Sequence, residues 1–462
     1  MAVQEQKSNQ ISKVDGIPSK ELFITMLVKD ITLKDAIGDL IDNSVDAANE
    51  NAKDKNDLSS FSLNIMLDKN HFEIIDNCGG IEEKTARESA FKLGKPKNYI
   101  YGKHTIGQFG IGMKRAFFKL GEKIIVESIA LNSSFEITIP VSEWKDREDE
   151  TDWDFDFDTV NPKERHLLKD TRTKIVIKDL KEDVKKQFSD PTFLIDLKNE
   201  IASEHLFAIN KGLNISINNE KLKPRKIYLI YNDEFKPCYW KHVFPNGLIA
   251  EIIAGASEDI NEDGGWYIFC NERLIIGPDT SNITGWTGGR GKGEKGEKKS
   301  KELPKYHDQY FRFRGFVFFN SDDSTKLPWT TSKTTIDTDS NAFSYIKIQM
   351  VTMARQVLEL LDKMKKEREK GNPLENQTLN NKVKNAPIRP LLEVISDQYK
   401  LKQVYLYPTN AFNPVQAIRN KIEIKFSKPK KEVDQAMAYF DVNDANDAGS
   451  LAFDYFYENA IK

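Results

Sequence analysis

A handful of acidic and amide side chains and one run of glycines are the residues of this chain whose types and spacing could do chemistry. Asp39 and Asn43 stand one helical turn apart in TLKDAIGDLIDNSVDAANE, residues 32–50, a spacing that stacks two side chains on one face of a helix. Asp76 ends the apolar run in EIIDNCGGI, residues 73–81, where a carboxylate is costly unless it meets a hydrogen-bond donor. In IGQFGIGMK, residues 106–114, Gly107, Gly110 and Gly112 lead into a helical pattern. Backbone N–H groups at such a helix start can face an anion with the helix dipole behind them. Lys114, one turn inside, either adds to that positive field or lies at the surface.

The elements that must position these residues are legible in the same stretches. Thr32 followed by Asp35 is an acidic variant of the capping box and predicts a helix start. Ile37, Leu40, Ile41, Val45 and Ala48 then form one apolar stripe, with Asp35, Asp39, Asn43 and Asp46 on the opposite side. A shorter helix over 18–30 precedes it, behind a loose polar start. Strands are predicted at 62–68 and 71–76, joined by Lys69 and Asn70, and at 123–130 and 135–141. The polar residues 82–105, interrupted by Gly94, Pro96 and Gly102, predict a mobile segment, and the acidic run 146–158 a solvated insertion. A strand at 173–179, a helix at 191–211 and a strand at 213–217 complete an α+β sandwich of antiparallel strands backed by helices.

In their order and spacing the three motifs resemble the nucleotide-binding motifs of the GHKL ATPases, the family of DNA gyrase, the heat-shock ninety chaperones, MutL, MORC and histidine kinases. The resemblance covers roughly the first half of the chain and implies a Bergerat-fold α/β sandwich that binds ATP with Mg²⁺. It implies that Asn43 ligates the metal and that Asp76 receives the adenine amino group. Gly80 falls at the second glycine of the family's DxGxG motif, while Cys78 occupies the place of the first. Gly107, Gln108, Phe109, Gly110, Ile111 and Gly112 correspond to the phosphate loop, residues 82–105 to the ATP lid, and Thr173 to a threonine beside the adenine carboxylate, although Arg172 replaces the glycine before it. The general base of the family is a glutamate, and Asp39 stands in its place. An aspartate there reaches about one methylene less, which predicts slow turnover.

Residues 1–224 are thus expected to form the ATP-binding domain, and 225–345 a smaller α/β domain that resembles the transducer of gyrase, MutL and MORC. That second resemblance rests on YIFCNERLI, residues 267–275, and LPWTTSK, residues 327–333, and implies that Lys333 reaches back to the terminal phosphate as a catalytic residue. The Gly- and Lys-rich loop 285–305 is locally basic in a chain of net charge −3, so DNA, if it is a partner, must be held by a local patch. A helix over 346–370 leads to a mainly helical C-terminal region, 371–462. Its strand at 422–426 and helices at 429–440 and 448–459 suggest a small interaction or DNA-binding unit. No apolar run approaches the roughly 20 residues that span a bilayer, so no membrane partner is expected, and the three well-separated cysteines suit reduced thiols in a cytoplasm. The composite expectation is an ATPase that forms a homodimer on binding ATP and acts near DNA, with a separate protein as a candidate effector. A chaperone-like clamp on a protein client, or an ATP-binding module without significant hydrolysis, are the alternatives.

Overall fold

In the computed structural model the described residues are 18–94, 102–107, 110–149, 151–258, 263–288, 302–368, 376–412, 424–425 and 427–461. The chain divides into two compact units, one up to residue 413 and one from 414 onward. In the first, α1 (Lys20–Lys29) precedes α2 (Leu33–Asn51), whose N-cap Thr32 accepts from Asp35 while the Asp35 carboxylate accepts from the Thr32 backbone. The predicted apolar stripe of α2 is fully buried. β1 (Ser62–Leu67) and β2 (Phe72–Asp76) alternate buried and half-buried residues, as strands with one face on a core must. Then come α3 (Gly112–Leu120), β3 (Gly121–Ile129), β4 (Ser134–Pro140), β5 (Thr159–Asn161) and β6 (Arg172–Leu180). α4 (Pro191–Glu204), β7 (Asn214–Ile217) and β8 (Glu220–Lys221) follow. The sheet order is β5-β4-β3-β6-β2-β1-β7-β8, with β1 and β7 parallel. This is the expected α+β sandwich, and its ladder sets Asp76 directly opposite Thr173.

A second sheet follows β9 (Tyr228–Ile230). Its strands are β10 (Cys238–Val243), β11 (Ile249–Ala256), β12 (Gly265–Cys270), β13 (Arg273–Asp279) and β14 (Phe313–Asn320), in the order β10-β11-β14-β12-β13. β12 is buried along its whole length, and α5 (Asn341–Glu367) sends Phe343, Ile346, Met350, Val357 and Leu361 into the same core. Residues 376–412 stay with this unit, since β15 (Ile388–Pro390) pairs with β9. In the C-terminal unit α6 (Lys430–Phe440) and α7 (Ala445–Ala460) form two helices, while most of the strand expected at 422–426 lies outside the described residues.

Three expectations need correction. The stretch WDFDFD in the acidic run alternates, so that Trp153, Phe155 and Phe157 pack on Trp144, Phe91 and Phe135 while the aspartates point outward. Period-two alternation was present there, but the count of acids obscured it. Residues 83–90 are helical, and Phe91 just after them is buried against Phe135, so this part of the expected mobile segment is a core element. The helix expected over 191–211 breaks at His205, where a second short helix, Leu206–Asn210, begins. In the loop 285–305, Trp286 and Leu303 are buried and pair as a β-bridge, whereas the basic residues 290–301 lie outside the described residues.

Candidate functional site

At one end of the site, Asp76 closes the central strand β2, and its carboxylate is almost completely buried. Four donors meet it: the Ser44 hydroxyl at 2.7 Å, the Cys78 backbone N–H at 2.8 Å, the Thr173 backbone and the Cys78 thiol. Burial still holds the Asp76 carboxyl above its ordinary range, since these hydrogen bonds only partly offset desolvation. The turn after it is left-handed at Gly79 and Gly80, not at Cys78, so the cysteine costs the turn no strain. Gly80 is irreplaceable on steric grounds: at φ +72° a Cβ there would lie 2.2 Å from the Ile129 carbonyl oxygen.

The glycine segment lies along α2. Asp46 accepts from the backbone N–H of Ile106 and Gly107, each at 2.8 Å, and burial pushes its carboxyl up to about 7 although part of the residue remains open to solvent. A Cβ on Gly107 would lie 3.8 Å from Asn43 Oδ1, and one on Gly112 3.0 Å from the Asp39 carboxyl carbon. Asn43 is exposed, and α3 begins beside it with no side chain capping its first turn. Gln108 and Phe109 lie outside the described residues, while Gly110, at φ +66°, and Ile111 continue the segment into α3. Lys114 takes neither of its expected places, for it is buried and donates to the Ala90 carbonyl at 2.8 Å.

At the other end a buried charge network spans both sheets. Asp39 is not solvated: Arg115 donates to its Oδ2 at 2.5 and 3.1 Å, and Lys333 Nζ lies 3.2 Å from its Oδ1. Asp42, which the helical pattern left unassigned, is wholly buried, with Arg273 Nε 2.8 Å from Oδ1 and Lys333 Nζ 2.6 Å from Oδ2. Burial alone would raise the Asp42 carboxyl, yet Arg273 and Lys333 hold it well below the usual carboxylate range. Burial would likewise depress the Lys333 ammonium, and the two aspartates carry it above its ordinary value. His205, 3.6 Å from Asp42, is pushed down to about 4 by burial and is neutral near pH 7.

Arg273 reaches this place because β12 and β13 are joined by only two residues, Asn271 and Glu272, both at positive φ, the backbone that a tight hairpin requires. Asn271 donates to the Thr105 carbonyl, next to the glycine segment, at 3.1 Å. One turn of the second sheet therefore touches both α2 and the glycine loop. The sequence residues Asp39, Asn43, Gly107, Gly112 and Lys333 come together at this end, and Asp76, Gly80 and Thr173 at the other. Ser44, Asp42, Asp46, Arg115 and Arg273 were missed as site residues. Ser44, Asp42 and Asp46 all sit within the motif DNSVD, and Arg273 within CNERLI, so the stretches carried a signal that the individual side chains did not.

Fold and site define an α+β sandwich with a buried carboxylate at one end of α2 and a glycine-led helix start at the other. Residues 31–174 match the family described as histidine kinase-, DNA gyrase B- and HSP90-like ATPases, and the chain carries a domain of this GHKL ATPase family. No curated protein matched the chain. No helix among the described residues is long and apolar enough to cross a membrane.

Proposed function

We propose that the chain is a Mg²⁺- and ATP-dependent conformational switch that hydrolyses ATP slowly, pairs as a homodimer when ATP is bound, and acts in a DNA-associated process. The observation that carries this reading is Lys333, which comes from beyond the second sheet yet places its ammonium between Asp39 and Asp42 of α2. Asp76 accepts from the adenine amino group, and the backbone at the helix start, Gly110 to Gly112, receives the phosphates. The hard amide oxygen of Asn43 fits a magnesium ligand, facing the glycine segment as it does. The metal would neutralise phosphate charge there. Lys333 then transfers from the aspartates to the terminal phosphate, and Asp39 orients and deprotonates the attacking water.

Slow turnover follows from two features of Asp39: its short reach, and the Arg115 guanidinium that occupies one of its oxygens. The same contact favours a second reading, a switch driven by binding alone. The test is to size the full chain with ATP, ADP and a non-hydrolysable analogue in Mg²⁺, with and without duplex DNA, while following phosphate release. ATP-dependent doubling of mass with slow release, and salt-dependent retention on DNA, are the expected results. Doubling without release supports the binding-only switch. No ATP-dependent change of mass would overturn the switch, and ATP-driven pairing without DNA retention would move the client to protein.

A further inference from the structure

The buried network has a division of labour that its distances reveal. Each aspartate of α2 gives one oxygen to an arginine of its own and the other to the shared lysine. Asp39 binds Arg115 through Oδ2 and Lys333 through Oδ1. Asp42 binds Arg273 through Oδ1 and Lys333 through Oδ2. Lys333 can therefore leave both without stranding a buried carboxylate, whereas departure of either arginine would leave one dependent on the lysine.

Arg273 does more than neutralise Asp42. Its Nη1 donates to the Lys333 backbone carbonyl at 3.1 Å, and its Nη2 pairs with Glu204 at the end of α4 at 3.2 Å. Lys333 is held at φ +57°, a left-handed conformation that costs a residue with a side chain and persists only where its surroundings impose it. One planar guanidinium thus fixes the carboxylate that the lysine must leave and the backbone from which the lysine swings. A lysine, with its single point charge, cannot make these bonds together.

Resting on the assignment of Lys333 to the terminal phosphate, we propose that Arg273 is a positioning residue for ATP hydrolysis: it retains Asp42 and the Lys333 backbone so that the Lys333 ammonium can exchange between the aspartates and phosphate. The exchange forms and breaks ion pairs only, and no covalent step is added.

The test compares MgATP affinity and turnover in the full chain for Arg273→Lys, Arg273→Gln, Arg273→Gln with Asp42→Asn, and Lys333→Ala. Arg273→Lys keeps a countercharge for Asp42 but loses the lysine's backbone anchor. Its affinity should stay within about threefold of wild type while turnover falls about tenfold or more. Arg273→Gln should lower turnover further, because Asp42 then keeps Lys333, and adding Asp42→Asn should recover turnover toward the Arg273→Lys level. A purely structural arginine predicts instead that turnover in each variant follows only its loss of folded protein, read from urea midpoints, and that Arg273→Lys keeps wild-type turnover per folded chain. Should Arg273→Gln fail to fold, Arg273→Lys decides alone. Wild-type affinity and turnover in Arg273→Lys, or no recovery in the double variant, would overturn the proposal while leaving the role of Lys333 intact. Undiminished turnover in Lys333→Ala, or a wild-type chain that binds ATP without hydrolysing it, would instead remove the assignment on which it rests, and the proposal with it.

Discussion

The two ends of the candidate pocket are built on opposite plans. Around Asp76 every donor comes from the first sheet, the turn after β2 or α2, and the carboxylate meets only neutral groups: a hydroxyl, a thiol and backbone amides. Around Asp39 and Asp42 the partners are full charges, and two of the three, Arg273 and Lys333, lie beyond residue 225. The first end needs nothing beyond the first sheet and α2 to hold its geometry. The second exists only while the two sheets keep their present relation. An end complete on one sheet beside an end assembled with the second is an arrangement in which binding at the first can precede, and report on, a movement of one sheet against the other.

The largest expected effect breaks the self-contained end. Asp76→Asn replaces an acceptor-only group with one that offers two donors, so an NH₂ must face the Ser44 hydroxyl or the Cys78 N–H, or else present the wrong pattern to adenine. We predict a loss of ATP affinity of about a hundredfold, with the protein still folded, measured by calorimetric titration in Mg²⁺. Wild-type affinity would remove Asp76 from the pocket and with it the contrast between the ends.

A smaller and different effect is expected at the charged end. Asp39→Asn should bind ATP within a few fold of wild type and lose most of its turnover, because an amide cannot take a proton from water. Since it also removes one partner of the buried Arg115 pair, a loss of about 1–3 kcal/mol in stability should accompany it. Single-turnover hydrolysis at saturating ATP checks the assignment, and an undiminished rate would place the base elsewhere. Lengthening the side chain is not a simple gain here, for the Asp39 carboxylate already lies against Gly112.

How much of this was legible in the sequence follows the same division. Local signals, such as the capping box at Thr32, the stripe of α2 and the strand into Asp76, sit within a few residues of what they determine and emerged where the sequence placed them. Asp39 and Asp42 gave no sign that they are buried in a charge network, because Arg115 lies 76 residues beyond Asp39, and Arg273 and Lys333 lie more than two hundred residues from the aspartates they meet. A helical wheel assigns an acidic residue to solvent unless a cation from another element covers it. The aromatic residues of WDFDFD show the converse, where many acids concealed a short alternating pattern. Lys114 was misread because a lysine that finds a carbonyl inside the fold has no sequence signature distinct from one that does not.

The smallest expected effect tests whether the charged end carries a pH-dependent cost of its own. Burial pushes the Glu204 carboxyl up to about 7 from an ordinary 4.5, with Arg273 only partly opposing it. Between those two values the native chain holds more protons than the unfolded one, so this group's contribution to stability is present below about pH 4.5 and is lost as the pH rises through about 7. His205 works in the other sense, because its lowered value of about 4 makes its contribution present above about pH 6.5 and lost as the pH falls toward 4. Glu204→Gln removes only the first of these. Relative to wild type, the variant should therefore gain about 1–3 kcal/mol in apparent stability between pH 5 and pH 8, since its amide has no proton to lose. Urea midpoints at the two pH values measure this difference. If both curves shift in parallel, Glu204 carries its charge without cost in the folded chain, and the Arg273 guanidinium satisfies it as fully as it does Asp42.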